Sequence, residues 1–149
     1  MKKRIIFLAL VSLMVSGISY GCPDFSGHYV GTVQKSGQQV DILLEQQSCE
    51  QGKMTVITAD VPAQAWDIIF DGVSRLMYTE KGIKIFVSFQ WDKDRIITKF
   101  QPKLGMMTGS GNGSYSLDEE GNLVEEATIN FLGQSSHRQG RYLRQENLY

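Results

Sequence analysis

From Phe25 onward the chain alternates apolar and polar residues with a period of two, and turn-forming residues interrupt the alternation again and again. A period of two puts successive side chains on opposite faces of a strand. The pattern therefore predicts a series of short antiparallel strands joined by hairpins. Strands are predicted at 25–35, 39–47, 54–59, 66–70, 73–80, 83–91, 95–101, 115–117, 123–131 and 139–144. The turns between them carry the residues that turns need, among them Lys35-Ser36-Gly37-Gln38, Asp71-Gly72, Lys81-Gly82 and Asp118-Glu119-Glu120-Gly121-Asn122. Ile85, Val87, Phe89 and Trp91 share one face of their strand, and Leu123, Ala127, Ile129 and Phe131 share one face of theirs. Leu43 interrupts the alternation of Val40, Ile42 and Leu44 and predicts a strand covered on both faces. Residues 60–65 and 102–113 are predicted to be irregular. The second stretch carries Gly105, Gly109, Gly111 and Gly113 around Met106 and Met107.

Eight to ten strands without a helix predict an all-β fold. A single up-and-down antiparallel β-barrel of 8–10 strands is the expected architecture, because closure removes the exposed edges of an open sheet. A two-sheet sandwich is the alternative.

The first 21 residues do not follow this pattern. Met1-Lys2-Lys3-Arg4 is basic, Ile5 to Val15 is apolar, and the small residues Ser19 and Gly21 lie two apart. These are the three parts of a cleavable secretory signal peptide over 1–21. The apolar run is shorter than the roughly 20 residues of a bilayer-spanning helix, so no membrane span is expected after processing. The barrel domain is placed at 22–145 and is expected to be secreted or periplasmic, with lipid attachment at Cys22 as the alternative. Glu146-Asn147-Leu148-Tyr149 matches the opening of a common protease-cleavage tag and is left outside the domain.

Export changes the reading of the two cysteines. Cys22 and Cys49 in an oxidising compartment predict a disulfide that ties the start of the mature chain to the turn after the second strand. Removing the signal peptide takes away three of 15 basic residues and none of 16 acidic ones, which leaves a net charge of −4. Without a lysine and arginine cluster, that charge argues against a nucleic-acid partner.

Phe25-Ser26-Gly27-His28-Tyr29 resembles the Phe-x-Gly-x-Trp opening of the first strand in lipocalin-type and fatty-acid-binding-type barrels, with Tyr29 in the place of the tryptophan. The resemblance implies a calycin-like barrel whose base is closed by Tyr29, with a basic residue of the last strand packed over the ring. Arg141, Arg138 and Arg144 are the candidates. The Thr-Asp-Tyr segment of lipocalins is absent. So is the Arg-x-Tyr that holds carboxylates in the fatty-acid-binding branch, because Arg141 and Tyr142 are adjacent and face opposite sides of a strand. No ligand is carried over.

The chemistry-bearing residues point away from catalysis. His28 and His137 stand near opposite ends of the chain, with no His-x-His or Cys-x-x-Cys, and Asp67, Asp71, Asp92 and Asp94 read as local turn residues. No serine lies in Gly-x-Ser-x-Gly, and no helix is predicted after Gly109-Ser110-Gly111-Asn112-Gly113. No enzyme activity, metal or cofactor is expected. Trp66, Phe89, Trp91, Phe100 and Phe131, with Tyr29 and Arg141, are the candidates to line an interior cavity for a hydrophobic or amphipathic small molecule. The same side chains would serve equally to fill the interior. Ser110-Gly111-Asn112-Gly113-Ser114-Tyr115 resembles, with one residue more, the Ser-Gly-x-x-Tyr loop of bacterial periplasmic lysozyme inhibitors. That resemblance supports the alternative of a protein-binding barrel, an inhibitor or envelope accessory, that acts through its loops.

Overall fold

The structure is a computed structural model that describes residues 21–33 and 36–146. Residues 1–20 of the expected signal peptide, Gln34 and Lys35 of the first turn, and residues 147–149 lie outside the described residues. Eleven strands follow one another: β1 (Gly27–Thr32), β2 (Gln39–Gln46), β3 (Gln51–Thr58), β4 (Gln64–Ile69), β5 (Arg75–Glu80), β6 (Ile83–Asp92), β7 (Arg95–Leu104), β8 (Met107–Thr108), β9 (Ser110–Leu117), β10 (Leu123–Phe131) and β11 (Gln134–Arg144). No helix occurs among the described residues.

Short turns set the meander. Lys81-Gly82 and Leu132-Gly133 have positive φ at both residues and close hairpins between Glu80 and Ile83 and between Phe131 and Gln134. Two left-handed residues in succession give the turn the same twist as the strands it joins. The pairing order is β4-β3-β2-β1-β11-β10-β9-β7-β6-β5, antiparallel throughout, with the two-residue β8 on β7 outside that path. Ten strands thus form the circuit of a nearly closed, calycin-like β-barrel. Its first and last strands are neighbours, and β4 and β5 are left as the two edges. The Trp66 indole spans that seam and donates from Nε1 to the Met77 carbonyl at 2.8 Å.

The core gathers at one end. Phe25, Tyr29, Ile68, Ile96, Leu123 and Tyr142 are buried there in a single cluster. Tyr29, 0% exposed, donates its hydroxyl to the Phe25 carbonyl at 2.9 Å. The Arg144 guanidinium lies 5.9 Å from the Tyr29 ring centroid and donates to the Ser26 carbonyl. Of the three candidate arginines, Arg144 therefore covers the base aromatic. Trp91 meets Phe25 edge-on at 5.6 Å and Phe70 at 5.0 Å, and donates from Nε1 to the Cys49 carbonyl. Cys22 and Cys49 form a disulfide with Cα atoms 5.5 Å apart, which fastens the N-terminal segment beneath this base. The bond fits an oxidising compartment.

Two expectations are corrected. Residues 102–113 are not a loop: β7 continues to Leu104, Gly105-Met106 turns the chain, and β9 begins at Ser110. An ideal Cβ on Gly111 would lie 2.5 Å from the Thr128 carbonyl, and one on Gly113 would lie 2.6 Å from the Glu126 carbonyl. Only glycine lets β9 lie this close to β10. Leu43, expected on a doubly covered strand, is exposed on the outer face. The outward Phe86 is covered by the Lys103 ammonium, 4.8 Å from its ring centroid.

Candidate functional site

Above the packed base the inward residues no longer meet. They line a cavity of about 510 Å³, within the range of small-molecule sites. Val40 and Ile42 come from β2, Met54 and Val56 from β3, Trp66 from β4 and Met77 from β5. Ile85, Val87 and Phe89 of β6 and Phe100 of β7 continue the apolar wall, and Ala127 and Ile129 of β10 complete it. The period of two explains the set, since each strand offers alternate residues to the interior.

The floor is polar. Glu125 stands on the inner face of β10 between Leu123 and Ala127, with a side chain only 8% exposed. Three donors converge on its carboxylate: the Tyr142 hydroxyl at 2.8 Å, the Tyr115 hydroxyl at 3.2 Å and the Arg138 guanidinium at 2.9 Å. Arg138 also donates to the Tyr142 oxygen at 2.7 Å. Burial raises both tyrosine hydroxyls above their ordinary range, Tyr115 far above, and the Glu125 charge raises them further. Both remain protonated donors at neutral pH. Burial works against the Arg138 charge, but the Glu125 carboxylate and the hydroxyls of Tyr142 and Tyr115 together outweigh it and hold the guanidinium protonated. A buried carboxylate is expensive unless paired and fully hydrogen-bonded, and this one is both.

Two glycines fit the cluster together. The Tyr142 ring lies where Cβ atoms on Gly31 and Gly140 would be, 2.5 Å and 2.8 Å from ring carbons. The Arg138 side chain is 52% exposed, so the floor cluster itself reaches solvent at this residue. β1 pairs with β11 only at Tyr29–Arg144 and Val30–Leu143, while β11 runs on to Gln134 beyond the end of β1.

The expected site residues divide into four groups. Trp66, Phe89 and Phe100 line the cavity. Tyr29 and Trp91 lie below it in the packed base. Phe131 stands at the far rim, beside the 132–133 turn. Arg141 is on the outer face, where it pairs with Asp118 at 2.7 Å and Glu120 at 2.9 Å. The residue that enters the interior is Arg138, four positions before Tyr142 and so on the same face of β11. Glu125 and Tyr115 were also missed. The signal for Glu125 was available: it is the one charged residue on the inward stripe Leu123, Glu125, Ala127, Ile129 and Phe131.

His28 bonds Asp41 at 3.1 Å and His137 bonds Thr128 at 3.0 Å. Among the described residues no three His, Cys, Asp or Glu side chains converge as a metal site would require. Ser110 to Tyr115 lies in β9 rather than in a loop, and Tyr115 points into the floor cluster.

No protein-family model matches the sequence, and comparison with curated proteins finds no match either. The fold does have solved counterparts. A point mutant of the fluorescent protein UnaG superposes with a TM-score of 0.55 at 9% identity, over 83% of this chain and 97% of that one. Secretory abundant heat soluble protein 4 from Ramazzottius varieornatus superposes with a TM-score of 0.56 at 10% identity, over 83% of this chain and 95% of that one. At such low identity the likeness is one of fold: this chain is built as those β-barrels are.

Proposed function

We propose that this protein is an exported, non-catalytic carrier that holds an apolar or amphipathic small molecule inside its barrel. The observation that carries the reading is the solvent-accessible apolar cavity with one satisfied polar cluster at its floor. A site of that make-up gains affinity by burying ligand surface and uses a few polar groups to set orientation. The disulfide supports export, because such bonds persist outside the reducing cytosol.

Native mass spectrometry of protein purified from its natural compartment is the test, run beside a denatured spectrum. The expected result is an added mass that disappears on denaturation. A bare protein that also fails to bind a neutral apolar dye such as Nile red overturns the reading.

A second reading, a barrel that engages a protein through its turns, draws on Met106 and Leu132, both exposed at turn tips. It is secondary because 104–114 is mostly strand, which leaves only a two-residue turn to project.

A further inference from the structure

Among the residues that line the cavity, Arg138 is the one cation and Glu125 the one anion, and they pair at 2.9 Å. Their formal charges cancel within the floor. A ligand carboxylate that reached for the unused N–H groups of Arg138 would bring a second anion beside the buried Glu125. A ligand ammonium would face Arg138 instead. Either ion would give up its hydration without gaining an unpaired counter-charge.

An uncharged head group meets neither difficulty. Among the described residues, two of the three guanidinium nitrogens of Arg138 form no hydrogen bond and remain free to donate. The Ser136 hydroxyl and the Gln64 side chain also line the cavity and can both donate and accept. The walls above are apolar over most of their area, lined by residues such as Met54, Trp66, Val87 and Phe100.

Resting on the carrier reading, we propose that the cavity selects amphiphiles with an uncharged hydrogen-bonding head, such as a long-chain alcohol, ester or amide, over free carboxylates and amines. The Glu125–Arg138 pair is the selecting element, because it presents hydrogen bonds without net charge.

Displacement of Nile red at neutral pH tests this with dodecan-1-ol below its solubility limit and with dodecanoate and dodecylammonium below their micellar concentrations. The alcohol is expected to displace the dye at a concentration at least tenfold lower than either ion. Glu125→Gln leaves the Arg138 charge unpartnered and is expected to shrink the alcohol-to-carboxylate ratio at least tenfold. Should that variant not fold, Arg138→Gln is measured in its place. It removes a half-exposed cation, leaves Glu125 alone, and is expected to widen the same ratio at least threefold.

Nile red bound, with dodecanoate competing as well as the alcohol, overturns the selection and leaves the carrier reading standing. A ratio left unchanged in the variant that is measured also overturns it, because the apolar walls alone would then be sorting the ligands. Failure of the wild-type protein to bind the dye and all three amphiphiles overturns the selection and the carrier reading together.

Discussion

A methyl group at Gly31 would lie 2.5 Å from the Tyr142 ring and 3.0 Å from the Arg141 carbonyl. The ring is held from below by its hydrogen bonds to Glu125 and Arg138, so it cannot swing aside without breaking them. Gly31→Ala is therefore expected to cost about 1–3 kcal/mol of stability, the usual range for overpacking, as read by urea denaturation. A second residue-scale prediction concerns Asp118 on the opposite side of the wall. Burial raises its carboxyl, but backbone bonds from Asn122 and the Arg141 guanidinium outweigh that and hold it at about 2. A carboxylate held below its unfolded value of about 3.9 contributes stability at higher pH, and loses it as pH falls from there through the folded value. An NMR titration of the Asp118 carboxyl should show a midpoint near 2, and Arg141→Ala should move that midpoint upward. Arg141 and Glu125 also mark what single residues disclosed beforehand. Arg141 was legible as a basic residue of the last strand but not as an outward one, because strand phase turns on a single position. Glu125 was legible as a charge within an apolar stripe, yet its partners Tyr115 and Arg138 come from other strands and are joined to it only by register.

At the scale of elements, most strands were readable because alternate inward side chains are large. β9 was not, since its inner stripe begins with Gly111 and Gly113, which have no side chains, and the period of two is erased there. The glycines that read as a loop are the ones that let a strand pass close beneath its neighbour. The seam between β4 and β5 was equally hidden, because a strand edge has no compositional mark. The indole of Trp66 holds that seam through its bond to the Met77 carbonyl. Trp66→Phe keeps most of the apolar contact and removes the donor. About 1 kcal/mol of stability should be lost, and amide exchange in β4 and β5 should quicken relative to β10, which is paired on both sides.

For the whole molecule, architecture was legible and cavity was not. Alternation and turn spacing predict a barrel, but whether its interior is filled depends on side-chain volumes summed across ten strands. The base is filled because Phe25, Tyr29, Trp91 and Leu123 converge there; higher up, Gly111, Gly113 and Ala127 contribute little bulk. The disulfide acts on the molecule as a unit by pinning the segment that carries Phe25 beneath the barrel. The cysteines stand 27 positions apart in sequence. Replacing both by serine is expected to lower global stability by about 3 kcal/mol in guanidinium denaturation.

The pairing of Tyr29 with Arg144 also bears on the order of events in folding. Every other ladder joins strands that are close in sequence, whereas this one joins the beginning of the barrel to its end. Loop closure over that span carries the largest entropic cost of any contact in the circuit, so the hairpins can form early and the ring closes last. Until β11 has docked on β1, Tyr29 lacks the arginine that covers it and the ring that holds Arg138 and Tyr142 at the floor is open. The same late step that completes the wall completes the polar floor, so a chain that has not yet closed its ring has no finished cavity.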